Sequence, residues 1–255
     1  MTAALPMSPA PGAAPAARRL AAQSRLELSL LLRNGEQLLL TIVIPTVVLL
    51  LFAKLPIVDV HGSRVDFVVP GVLALAALST AFTGQAIATG FERRYGVLRR
   101  LGSTPLTRLE LLTAKTAAVL VVEALQVALL VAVGFALGWS PHGSPISVIA
   151  LLVLGTITFS ALGLLLAGTL RAEATLAAAN LLYLLLLGLG GVVVPLSDFG
   201  SGARHVLDLL PIAAMTDGLR VVLRNGHHVP LHDWVTLVVW GLGGGAIAAR
   251  AFRWS

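Results

Sequence analysis

Residues 91–115 read FERRYGVLRRLGSTPLTRLELLTAK, a basic segment between two long apolar runs. Arg93, Arg94, Arg99, Arg100, Arg108 and Lys115 meet only two anions there, Glu92 and Glu110. The spacing is helical. Phe91, Tyr95, Leu98 and Gly102 fall on one face, and Arg93, Gly96, Arg100 and Ser103 fall on the other, which predicts one short amphipathic helix over 91–102. Thr104-Pro105 then stops it, because a residue before proline avoids the α region. Thr107 and Glu110 have the spacing of a capping box, and Leu106 and Leu111 that of a hydrophobic staple, so a new helix should start at Arg108. A basic amphipathic helix, a hard turn and a capped restart between apolar runs describe a chain that leaves a membrane, presents a docking surface and re-enters.

The composition agrees. Of 255 residues, 57% are hydrophobic and only 12% charged, whereas soluble domains carry about 25% charged residues. Mean hydropathy is +0.91. Such a chain is solvated by lipid, and the fold class is an all-α integral membrane protein. The absence of cysteine excludes disulfides and thiolate metal sites. A net charge of +6 could suggest nucleic acid, but its distribution argues for membrane topology instead. Residues 1–16, rich in Ala and Pro, are expected to be a disordered tail. They lack the basic start and compact apolar core of a signal peptide. Residues 17–255 form one transmembrane domain, with no second domain and no internal repeat.

Six spans are predicted from the need for about 20 mostly apolar residues to cross the hydrocarbon. They cover residues 37–53, 67–90, 116–138, 146–170, 175–196 and 234–249. Pro45 should kink the first, which neighbouring helices tolerate in a membrane. Ala17 to Arg33 reads as an amphipathic helix lying in the interface, with Ala17, Leu20, Ala21, Ser24, Leu28 and Leu31 on one face. Between the fifth and sixth spans, Ala203–Leu210 and Ala213–Leu223 read as short helices separated by Pro211. With the N-terminus inside, thirteen of the eighteen Lys and Arg residues fall on inner segments, so both termini are expected in the cytoplasm.

Two motif stretches carry a resemblance. The run Glu92-Arg93-Arg94-Tyr95-Gly96-Val97-Leu98-Arg99-Arg100-Leu101, followed by Ser103-Thr104-Pro105-Leu106, resembles the E-R-x-x-G-x-L-x-x-L-x-x-T-P-L loop of ABC-2 type transporter permeases. Gly191 to Leu196, then Leu209-Leu210-Pro211 and Asp217-Gly218-Leu219-Arg220, are similar to that family's G-x-x-x-P-L…L-L-P…D-x-L-R stretch. The resemblance implies a bacterial inner-membrane exporter subunit. Its cytoplasmic coupling helix would touch an ABC ATPase through Glu92, Arg93, Arg94, Tyr95, Gly96, Leu98, Arg99, Arg100, Thr104 and Pro105. It also implies short outer re-entrant helices before the last span, a second permease subunit, identical or homologous, and a hydrophobic or amphiphilic cargo such as a drug, natural product or lipid. ATP and Mg would be bound by the partner ATPase. This chain has no G-x-x-x-x-G-K-[ST] with which to bind ATP itself.

Catalysis has little support, since H-E-x-x-H and G-x-S-x-G are absent. His227, His228, His232 and Asp233 could be a metal cluster, with His228 and His232 at i, i+4. Gly226 and Pro230 interrupt that segment, so a polar loop is expected and no metal site. Glu123 lies well inside the third span, where a charge costs about 2.5–3.5 kcal/mol to insert. It is a functional carboxylate, half of an interhelical hydrogen bond, or a group near enough to the inner interface to stay hydrated. Ser79, Thr83 and Gln85 in the second span, with Asn180 and Tyr183 in the fifth, read as packing contacts singly and as a pathway wall together, and Glu123 is placed with them as a sixth pathway residue. Arg171 and Glu173, in the tight turn between the fourth and fifth spans, are expected to pair with each other. The alternatives to a transport subunit are an intramembrane enzyme centred on Glu123 or the histidines, and a non-catalytic membrane scaffold.

Overall fold

The computed structural model describes residues 12–55, 62–192 and 200–252. Among them every regular element is helical: α1 (Ala16–Arg33), α2 (Gly35–Lys54), α3 (Arg64–Ala77), a π-helical segment (Leu78–Gly84), α4 (Gln85–Arg94), α5 (Val97–Gly102), α6 (Arg108–Ala136), α7 (Pro145–Thr169), α8 (Ala172–Leu189), α9 (Ser201–Leu207), α10 (Pro211–Leu223) and α11 (Leu231–Ala251). Six helices are long and apolar enough to cross a membrane: α2, the continuous rod Arg64–Arg94, α6, α7, α8 and α11. Each overlaps one of the six expected spans. Most of the expected tail falls on residues 1–11, outside the described residues.

The rod Arg64–Arg94 is the axis of the molecule. Every residue from Phe67 to Leu78 is buried, and α2, α6, α7 and α10 all pack against α3. Its Val, Ala and Gly side chains let neighbours approach closely, which is how helices associate where lipid supplies no hydrophobic drive. α7 answers with glycines: a Cβ on Gly163 would stand 2.6 Å from the Phe82 carbonyl oxygen, and one on Gly155 would stand 2.5 Å from Met215 Sδ. The expected helix over 67–90 did not include a π-helical turn. Such turns commonly mark functional positions, and this one holds Ser79, Thr80 and Thr83.

The two short helices expected on either side of Pro211 are α9 and α10, but Pro211 belongs to the second. It opens α10 at the first helical position, where its missing N–H costs nothing. α10 spans 13 residues, about 20 Å, too short for a hydrocarbon layer about 30 Å thick. Yet ten of its residues are buried. The helix therefore sits inside the protein against α3, α7 and α11. The expected end of the fifth span also moves: α8 stops at Leu189, and Gly191 adopts φ 71°. The Val193–Leu196 part of the expected motif lies outside the described residues.

Candidate functional site

The 91–115 segment has a different local structure from the single helix expected. The α4 helix runs to Arg94, Tyr95 and Gly96 make a turn with Gly96 at φ 73°, and α5 restarts at Val97. A left-handed residue ends a helix, and glycine adopts it without a Cβ penalty. The break rotates the expected apolar face apart. Leu98 is fully buried with Leu111, Leu112, Leu164 and Phe252, in a small core beneath the loop, whereas Tyr95 is 69% exposed. Tyr95 stacks on Phe91 at 6.1 Å between centroids. Beyond α5, the sequence logic holds in detail. Thr107 Oγ1 accepts from the Glu110 N–H at 3.2 Å, and the Thr107 N–H donates to Glu110 Oε2 at 2.8 Å. This capping box starts α6 at Arg108, and Leu106 packs against the small core that holds Leu111.

The ten residues assigned to ATPase contact are not all on one surface. Tyr95, Arg99, Arg100, Thr104 and Pro105 are exposed, and Gly96 is half-buried in the turn. Glu92, Arg93 and Leu98 turn inward, and Arg94 is exposed but engaged. Arg93 Nη1 donates to the Ala167 carbonyl at 3.0 Å, and its Nη2 donates to the Leu170 carbonyl. A cation on the last carbonyls of α7 complements the negative end of that helix. Arg94 pairs with Glu173, so Glu173 does not pair with Arg171 as expected.

Glu92 belongs to a buried ion cluster. Lys115 Nζ on α6 lies 2.7 Å from Glu92 Oε2 on α4 and 2.9 Å from Glu27 Oε2 on α1. Gln23 Nε2 donates to Glu27 Oε1 at 2.7 Å. Lys115 is 4% exposed, so its charge is sheltered from solvent and both carboxylates are held to it by low-dielectric attraction. The cluster borders a cavity of about 40 Å³ lined by Gln37, Thr41, Gln85 and Thr89 together with apolar Leu31, Leu38, Val119 and Val122. The α1 helix thus presents Gln23 and Glu27 to the protein, while Leu26 and Leu30 are about half exposed. Of the expected face, Leu20, Ser24, Leu28 and Leu31 are half-buried beside Gln23 and Glu27, whereas Ala17 and Ala21 are exposed.

Deeper in the helices, polar side chains bond across interfaces. Thr156 donates to Glu123 Oε2 across the α6–α7 interface. Thr80 donates to Gln126 Oε1 at 2.9 Å, and Gln126 Nε2 donates to the Thr41 carbonyl at 2.6 Å. Ser160 donates to Gln85 Oε1 at 3.0 Å and sits 2.6 Å from the Thr116 hydroxyl. Ser79 and Thr83 are half-buried in the π-helical segment, and Asn180 donates back to the Leu176 carbonyl on exposed α8. Of the six residues proposed for a pathway, Gln85 and Glu123 are buried in separate contacts, while α8, which carries Asn180 and Tyr183, packs against α4 and the π-helical segment that holds Ser79 and Thr83.

The family model described as ABC-2 type transporter matches residues 20–223. The chain belongs to the ABC-2 type transporter family. A comparison with curated proteins gives no match. As an ABC-2 permease the chain is a multi-pass membrane transport component of an ABC transporter, not itself catalytic, and membership implies an ABC ATPase subunit as its partner. The match starts within α1 and covers the ion cluster and the whole 91–115 segment.

At the far end of the permease, Arg220 on α10 joins three elements. Its guanidinium donates to the carbonyls of Gly191, Val192 and Phe67, the last at 3.4 Å, and lies 3.8 Å from the Phe67 ring centroid. Burial pulls its pKa down to about 9, partly offset by Asp217, so it stays cationic at neutral pH. The histidines do not assemble as their spacing suggested. His227 and His228 lie in the irregular segment before α11, and His232 instead meets Asp217 and Asp233.

Sequence reasoning did not single out Gln23 and Glu27. Their i, i+4 spacing on an otherwise leucine-rich helix was the available signal. What it lacked was a partner, because Lys115 had been counted only as a positive-inside charge.

Proposed function

We propose that this permease exports a hydrophobic or amphiphilic compound (a drug, natural product or lipid) out of a bacterial cytoplasm, with both termini on the cytoplasmic side of the inner membrane. A separate ATPase subunit binds ATP and Mg, and a second permease subunit, identical or homologous, completes the path. The observation that carries this reading is the construction of the 91–115 segment. It couples an exposed basic face, Tyr95 with Arg99 and Arg100, to a buried ion cluster two turns away in α4 and α6.

In this mechanism the ATPase grips α5, and Gly96 is the joint at which α5 moves relative to α4. Leu98 anchors α5 to Leu111 at the start of α6, so displacement of α5 reaches two spans at once. Glu92–Lys115–Glu27 keeps α4, α6 and α1 moving as one body, since separating a buried ion pair leaves an uncompensated charge. The apolar flanks of α2, α8 and α11, with exposed Leu39, Leu181, Leu184 and Leu242, suit lipid, a second subunit or an apolar cargo. Little hydrophilic surface lies along them, which favours an amphiphile over a sugar polymer.

Reconstitution tests the reading. Purified permease with its cognate ATPase in proteoliposomes should show ATP hydrolysis stimulated by apolar compounds and directional movement of a fluorescent amphiphile. Hydrolysis indifferent to the permease would refute it, and catalysis by the permease alone would favour the intramembrane-enzyme alternative.

A further inference from the structure

One carboxylate at the end of the molecule opposite the 91–115 segment is not explained by transport coupling. Asp233, in the first turn of α11, is 1% exposed, and its Oδ2 has no hydrogen-bond partner. A buried anion without a donor costs several kcal/mol unless a cation compensates it. Arg220, on α10 with Asp217, is already spent on the carbonyls of Gly191, Val192 and Phe67. Asp208 and Asp217 add like charge around Asp233 and deepen the deficit. On the other carboxylate oxygen, His232 Nε2 is 3.1 Å from Asp233 Oδ1.

We propose that Asp217, His232 and Asp233 bind a divalent transition-metal cation of the zinc class, which ties α10 to α11. One ligand atom from each residue lies within 4.8 Å of the others. Around zinc, bond lengths of about 2.0–2.1 Å put tetrahedral ligand atoms roughly 3.3 Å apart. The exposed His232 and Asp217 side chains can close that difference by rotamer adjustment, whereas Asp233 is fixed by burial. One imidazole and two carboxylates form a borderline-hard set suited to zinc or manganese, and two carboxylates neutralise the ion's charge. Three protein ligands leave a coordination position for water. The ion would fasten buried α10 to the N-terminal end of α11, whose other end lies beside the 91–115 segment through the Arg108 contact to the Arg250 carbonyl.

The test uses the full-length chain in detergent, purified through a tag without histidine, stripped with a chelator and titrated with zinc chloride by calorimetry. One zinc per chain is expected. His232→Ala and Asp217→Asn, both on accessible side chains, should each weaken binding about ten-fold or more. The double change His227→Ala with His228→Ala should leave it unaltered. Zinc should also raise the thermal midpoint of the natural chain but not of the His232→Ala chain. No saturable uptake, or a loss that follows His227 and His228 in place of His232, overturns the assignment.

Discussion

Lys115 Nζ stands 2.7 Å from Glu92 Oε2 inside the protein, joining the start of the third span to the end of the second. Glu27 on α1 completes the cluster at 2.9 Å. Two carboxylates around one ammonium leave a net negative site, so the lysine is the element that cannot be removed. Lys115→Gln should destabilise the chain by about 3–5 kcal/mol, the cost of orphaning buried charge. Glu173→Ala, which breaks an ion pair more than half exposed, should cost under about 1 kcal/mol. Thermal unfolding of the detergent-solubilised chain compares the two; equal effects would mean that the cluster is hydrated.

The glycines of α7 and α8 make opposite demands. A methyl on Gly163 would meet the Phe82 carbonyl at 2.6 Å, backbone that cannot move aside. Gly163→Ala should therefore cost about 1–3 kcal/mol. At Gly188 nothing lies within 4 Å of the added carbon, and alanine is the better helix former, so Gly188→Ala should be stabilising by about 0.5–1 kcal/mol. Midpoints shifted in the same direction by both would contradict the packing of α7 on the π-helical segment.

Much of this architecture was legible in residue spacing. Six apolar runs, the Thr107–Glu110 capping box and the restart at Arg108 depend on local chemistry, and local chemistry is what a sequence displays. The inward turn of Glu92 and Arg93 was not legible. Their partners, Lys115 and the carbonyls of Ala167 and Leu170, lie 23 or more positions away in sequence. A helical wheel cannot register a pairing of that kind. The split at Gly96 was missed for a related reason: the face of Phe91, Tyr95, Leu98 and Gly102 read smoothly through a glycine that the fold uses as a joint. Asp233 was seen only as a neighbour of histidines, because its burial comes from α10 packing on α11.

Glu123 and Thr156 form an interhelical hydrogen bond, and such bonds contribute about 0.6 kcal/mol on average and up to about 1.7. Thr156→Val should lower stability by that order. Glu123→Gln keeps an acceptor for the Thr156 hydroxyl and removes a charge-bearing group from an apolar surround. It should be neutral or stabilising and leave stimulated ATP hydrolysis intact. Loss of hydrolysis with stability preserved would return Glu123 to a working role in transport.

The central claim is that the exposed basic face of α5 receives the ATPase. Replacing Arg99 and Arg100 together by Glu reverses the charge of that face while leaving Leu98 and the ion cluster untouched. Co-purification of the cognate ATPase with this double variant, measured beside its thermal midpoint, is the most direct test. The account predicts a folded permease with an unchanged midpoint that no longer retains the ATPase. Retention at the level of the natural chain would contradict it.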